Sequence, residues 1–204
     1  GGGVPQRVLE IGAASGRVIR HFATQDAACD AWATDIDGQH VEWLAQHLGT
    51  VLTPVHTTAL TILPIADHRM DAVLAYSVFT HIDTLETSWL AELKRVLRHG
   101  GIAIITVHTE RSWELLRPGL GLYHALLELA PSITEWPVDE GLLAAPMPAD
   151  RVAMSWPTVA DVYNSCVFHS RGYIHQRWSR FFDVVDIIDE ASEYQAVVVL
   201  RATT

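Results

Sequence analysis

Val8-Leu9-Glu10-Ile11-Gly12-Ala13-Ala14-Ser15-Gly16-Arg17 is the stretch that decides the fold. An apolar strand runs straight into a turn of small residues, and the turn opens a helix. Such a turn lets backbone come close to a ligand, and the N-terminus of the helix behind it presents N–H groups to a negative or polar group. Gly12 and Gly16 are four apart with Ala14 between them, so the dinucleotide fingerprint G-x-G-x-x-G is absent. A turn of this kind also serves plain close packing of strand and helix, so the rest of the chain must decide.

The remaining sequence repeats the rhythm. Strands are predicted at Val8–Ile11, Ala31–Ile36, Val51–Val55, Ala72–Tyr76 and Ile102–Val107. Helices are predicted at about 16–25, 38–48 and 83–98. Asp37 is the candidate cap of the second helix. Asp83 and Glu86 have the spacing of a capping box for the third, which ends at Gly100-Gly101. Two last strands, Phe182–Ile188 and Gln195–Leu200, suit a closing antiparallel pair. Alternation of this kind means an α/β fold with a doubly wound, mostly parallel sheet that takes ligands at the carboxyl ends of its strands.

Residues 108–169 break the rhythm. Six prolines and Trp113, Trp136 and Trp156 fall there, and the stretch is too long for a plain loop. It reads as an insertion in a single domain spanning 1–204. A lid over the strand ends would let its tryptophans wall off water from an acceptor pocket. Leu120–Leu129 is one helix within it, and Ser170 caps a short helix after it.

At 204 residues with 49% hydrophobic and 19% charged side chains, the composition is that of one globular domain. Fourteen basic against 24 acidic residues leaves −10, and Lys94 is the sole lysine. A chain this acidic suits neither a nucleic-acid backbone nor an anionic membrane. Small-molecule partners are favoured. No apolar run reaches membrane-spanning length, and Gly1-Gly2-Gly3 is no secretory leader. Cys29 and Cys166 fall in no paired motif, which points to reduced thiols and the cytoplasm. The histidines show no metal-ligand spacing, so no metal is expected.

Asp35 closes the second strand, 19 residues beyond Gly16. An acceptor carboxylate there can take both hydroxyls of a ribose, the alternative being a helix cap. His81 is a candidate general base, because a histidine near its ordinary pKa accepts a proton at neutral pH; the plainer role is closing its loop by hydrogen bonding. His108, at the carboxyl end of the fifth strand, is a second candidate. Arg171, Arg177 and Arg180 with Tyr173 and Trp178 make either a clamp for an anionic group or a solvated helix face.

Glu10-Ile11-Gly12-Ala13-Ala14-Ser15-Gly16 resembles the first motif of the class I S-adenosylmethionine-dependent methyltransferases, E/D-x-G-x-G-x-G, with Ala14 in place of the middle glycine. Leu63-Pro64-Ile65-Ala66-Asp67-His68-Arg69-Met70-Asp71 is similar to the family's LPFxDxSFD segment. Leu93–Gly101 matches L-x-R-V-L-x-P-G-G except for His99. The resemblance implies a Rossmann-like seven-stranded sheet with an antiparallel C-terminal hairpin, and S-adenosyl-L-methionine as cofactor. It implies that Glu10, Gly12, Ala13, Ala14 and Gly16 surround the methionine portion and that Asp35 holds the ribose. Ile36 would pack on the adenine, Ala59 and Leu60 would meet its edge through backbone atoms, and Tyr76 and Ser77 would floor the methyl-donor pocket. The implied reaction is O- or N-methylation of a small-molecule acceptor. The alternatives are an NAD(P)-dependent oxidoreductase, which expects the absent fingerprint, and a non-catalytic nucleoside-binding protein of the same fold.

Overall fold

The computed structural model describes residues 6–25, 28–157 and 164–203. The expectation of no leader at Gly1–Gly3, and residues 158–163 of the predicted insertion, lie outside them.

The predicted alternation is present. Strands β1 (Arg7–Ile11), β2 (Asp30–Asp35), β3 (Thr53–His56), β4 (Met70–Ala75) and β5 (Leu97–Thr109) form a parallel sheet in the order β3-β2-β1-β4-β5. Helices α1 (Ile19–Gln25), α2 (Gly38–Leu48) and α3 (Glu86–Val96) connect them. Asp37 caps α2 by accepting the Gln39 N–H. One face of the sheet packs Val8, Ala31, Ala33, Ala72 and Leu74 against Ile19, Ala23 and Leu44 of α1 and α2. The other face packs Leu9, Ile11, Val73 and Ile105 against α3, through Leu90, Leu93 and Val96.

The insertion has a construction of its own. Short helices α4 (Glu110–Glu114), α5 (Gly121–Leu129) and α6 (Glu140–Ala144) precede an antiparallel hairpin of β6 (Arg151–Ser155) and β7 (Ser165–His169). Trp113, Leu116, Tyr123, Leu126, Leu143, Val152, Met154 and Phe168 form a separate apolar core. The three tryptophans expected to line the acceptor pocket belong to it instead. Trp113 is buried and donates to the Ala145 carbonyl, Trp136 donates to that of Ala153, and Trp156 packs on the same cluster.

After helix α7 (Arg171–Trp178), capped by Ser170, the chain closes with β8 (Phe182–Ser192) and β9 (Gln195–Ala202). β9 runs antiparallel to both β5 and β8, as the resemblance implies. Residues 102–107 of β5 pair with β9, while His108 and Thr109 pair with β7. The sheet therefore counts nine strands among the described residues, seven in the predicted arrangement plus the inserted hairpin. Arg171, expected in an anion clamp or on a solvated face, pairs with Asp189 and the Ile187 carbonyl.

The predicted capping box at Asp83 and Glu86 does not form. The helix starts at Glu86 behind Leu85, with no side-chain cap, because both carboxylates turn to Arg151 of the hairpin.

Candidate active site

The turn after β1 alternates into the left-handed region, with φ +66° at Gly12, +46° at Ala14 and +68° at Gly16. A side chain at Gly12 would put its Cβ 2.6 Å from a methyl of Val78, so only glycine fits there. At Gly16 a Cβ would meet Leu44 and Leu48 of α2, which makes that position one of helix packing. Three amides of the turn are bonded inside the protein. Ala13 donates to the Thr34 carbonyl, Gly16 to that of Ala13, and Ala14 to Asp35 Oδ2 at 2.7 Å. The first helical amide, Ile19, goes to Glu10 Oε2 at 2.9 Å.

Two cavities meet over this turn at the carboxyl ends of the strands. The first, about 390 Å³, is bounded by Gly12, Asp35, Ile36, Thr57 and Ala59 on one side and by His81–Leu85 and Trp89 on the other; Ser155, Asn164 and Ser165 of the insertion close it. The second, about 420 Å³, is lined by Glu10, Gly12, Ala13, Ala14, Arg17 and Val18. Gly12, Tyr76, Ser77 and His81 line both. The structure thus brings together all the predicted cofactor residues except Gly16, in the helix contact, and Leu60, whose side chain is exposed. Sequence reasoning missed Arg17, although a cation directly after the last glycine of the motif was a signal. It also missed Thr57 and the 82–85 wall.

Burial pushes the Glu10 carboxyl up to about 7, against the Ile19 N–H and the charge of Arg17. Asp35 is almost fully buried, yet its Oδ1 accepts the Asp37 N–H and its Oδ2 that of Ala14, so two charge-assisted bonds satisfy it. Ser77 sits at φ +56° between the two cavities. Its N–H donates to Thr106 Oγ1 at 2.7 Å, and its hydroxyl accepts from Gln195 Nε2 at 3.0 Å. A non-glycine residue held left-handed costs on the order of 1–3 kcal/mol and persists where its surroundings over-determine it.

His81 and Ser165 clasp each other. His81 Nδ1–H donates to the Ser165 carbonyl at 2.8 Å, and the Ser165 hydroxyl donates to the His81 carbonyl at 2.6 Å. A carbonyl partner fixes the proton on Nδ1, so the ring's lone pair is on Nε2. Burial holds the His81 pKa below its ordinary value despite that bond. His108 lines neither cavity. It is buried between Phe168 and Tyr194, beside Cys166 Sγ, and burial presses its pKa down to about 3. Among the described residues no group of three or more His, Cys, Asp or Glu is placed to hold a metal ion, and no helix is long and apolar enough to cross a membrane.

A family model described as a methyltransferase domain matches residues 9–105. No curated protein matches the sequence. The fold is similar to that of 1,6-didemethyltoxoflavin-N1-methyltransferase from Burkholderia thailandensis, solved with 1,6-didemethyltoxoflavin and S-adenosylhomocysteine. That likeness has a TM-score of 0.64 at 17% identity and covers 98% of this chain and 72% of that one. A SAM-dependent methyltransferase from Aquifex aeolicus gives 0.62 at 13% identity, over 97% and 82% of the two chains. One from Methanosarcina mazei gives 0.58 at 13%, over 98% and 94%. The matched span runs from β1 into β5 and includes the turn, Asp35 and the β4 end that frame both cavities. Residues 9–105 thus match a methyltransferase domain, and the chain shares the fold of S-adenosylmethionine-dependent methyltransferases.

Proposed function

We propose that the protein methylates an oxygen or nitrogen of a small-molecule acceptor, with His81 as the base. The observation that carries this reading is the meeting of the two cavities at Gly12, Tyr76, Ser77 and His81. In this reading Asp35 holds the ribose, and Ile36, Thr57 and Ala59 border the adenine. Glu10 and Arg17 stand opposite the charged ends of the methionine portion, the carboxylate of Glu10 toward the ammonium and the guanidinium toward the carboxylate. An ammonium beside Glu10 favours its ionised form and offsets what burial does to it.

The bound cofactor supplies a methyl group already activated on a sulfonium. The chain's own work is then positioning, which lowers such barriers by roughly 7–11 kcal/mol, and taking up a proton where the acceptor is a neutral hydroxyl or a protonated amine. His81 Nε2 accepts that proton. The clasp with Ser165 keeps the ring in the required tautomer. The residues Ser155, Asn164 and Ser165 add polar groups to a wall that mixes apolar side chains with placed polar ones, the composition of a small-molecule pocket. The net charge of −10 speaks against a nucleic-acid acceptor, and the two buried free cysteines suit the cytoplasm.

Isothermal titration with S-adenosylhomocysteine and with NAD tests the donor, and a screen of small phenols and amines for methyl transfer tests the acceptor. Binding of S-adenosylhomocysteine with turnover of one acceptor class is expected. Binding of NAD instead, or no turnover of any small molecule, overturns the reading.

A further inference from the structure

The segment that walls the first cavity between β4 and α3 is gripped from outside by the inserted hairpin. Arg151, the first residue of β6, donates through Nε to Glu86 Oε2 at 2.9 Å and through Nη1 to Asp83 Oδ1 at 2.9 Å. Its Nη2 donates to the carbonyls of Asp83 at 2.8 Å and Ile82 at 3.3 Å. The planar guanidinium thus serves four acceptors on three residues of one short stretch, and Ile82, Asp83, Thr84 and Leu85 line the cavity. Glu86 is itself buried and fixed from the far side: His169 Nε2–H donates to its Oε2 and Trp178 Nε1–H to its Oε1, both at 2.8 Å. Glu86 is therefore an anchor, and Arg151 is the strut between anchor and wall.

We propose that Arg151 is a positioning residue for donor binding, which sets the path of residues 82–86 and so ties the inserted hairpin to the cofactor cavity. The proposal rests on the reading of that cavity as the donor site. Lysine cannot replace the fork, because one ammonium cannot face two carboxylates and two carbonyls in a fixed plane. An apolar residue removes the strut and leaves Asp83 without its cation beside the cavity. A role confined to stability would predict instead that any loosening of the insertion has the same effect.

Three variants separate these cases: Arg151→Lys, Arg151→Met and, in the insertion's own core, Met154→Ala. Hydrogen exchange across residues 81–86 without ligand, affinity for S-adenosylhomocysteine by calorimetry, and the melting temperature are measured on each. Arg151→Met should speed exchange at 81–86 and weaken S-adenosylhomocysteine roughly 5–50-fold, the range of ordinary coupling between sites. Arg151→Lys should fall between it and the parent. Met154→Ala should lower the melting temperature with neither effect. Parent-like exchange and affinity in Arg151→Lys overturn the proposal, and that variant decides if Arg151→Met does not fold. An equal loss of affinity in Met154→Ala overturns it too. Should the parent bind no S-adenosylhomocysteine, the donor-site reading fails, and exchange at 81–86 alone still decides whether Arg151 positions the wall.

Discussion

Asp35 accepts the Ala14 N–H through Oδ2 at 2.7 Å and the Asp37 N–H through Oδ1 at 2.8 Å, so one carboxylate ties the turn after β1 to the turn after β2. Asp35→Ala breaks both ties and removes the group expected to hold the ribose. S-adenosylhomocysteine should bind more weakly by about 1–3 kcal/mol in calorimetry, with a lower melting temperature. Parent-like affinity in a folded Asp35→Ala protein would take Asp35 out of the site.

Glu10 should make stability fall as pH rises. Burial lifts its carboxyl from 4.5 to about 7 in the folded chain. The native state therefore keeps a proton that the unfolded chain gives up, and this contribution is complete below 4.5 and lost as pH rises through about 7. Glu86 runs the other way. Burial alone would raise it, but the His169 hydrogen bond and the charge of Arg151 hold it at about 2, so its contribution is full above 4.5 and is lost as pH falls through about 2. Urea denaturation of the parent and of Glu10→Gln near pH 5 and near pH 8 isolates the Glu10 effect. Relative to the parent, the variant should gain stability at the higher pH, and a difference that does not change with pH contradicts the assignment.

His81→Ala should cost roughly 10²–10⁴ in turnover once an acceptor is in hand, with affinity for S-adenosylhomocysteine nearly intact. Because burial holds the His81 pKa below 6.5, the acid limb of the parent's pH–rate profile should lie below that value. Equal losses in binding and in turnover would mark His81 as a loop-closing residue.

Ala14→Gly should be neutral or stabilising. An L-residue at φ +46° carries a left-handed penalty of about 1–2 kcal/mol, while glycine gives back about 0.5–1 kcal/mol through the freedom of the unfolded chain. The melting temperature reads the balance, and a clear drop would show that the Ala14 methyl group packs in the turn.

Local pattern was enough for the parallel half of the molecule. The apolar runs at Val8–Ile11 and Ala72–Tyr76, the cap at Asp37 and the carboxylate at Asp35 are all signals carried within a few residues. What escaped is non-local. Asp83 and Glu86 have perfectly good capping spacing, and only the arrival of Arg151 from the hairpin redirects them. β6 does alternate, with Val152 and Met154 buried and Arg151, Ala153 and Ser155 half-buried, but five residues among prolines do not announce a strand. The insertion's tryptophans flank the expected pocket in sequence, whereas three short helices and a hairpin need them to fill a core of their own.

The division of β5 between two partners bears on how the chain folds. Ile102–Val107 can pair with Ala196–Arg201 only after everything between them has been brought round. The entropy of closing such a loop grows slowly with its length, by about 0.6 kcal/mol per doubling, but contacts this distant in sequence slow folding far more than local ones do. The inserted helices and hairpin find most of their apolar partners within the insertion. If that unit collapses early, it shortens the effective loop, and the register of His108 and Thr109 against Phe168 and His169 delivers the chain back beside β5. The same hairpin that closes the cavity would then also be the one that lets the last two strands find their place.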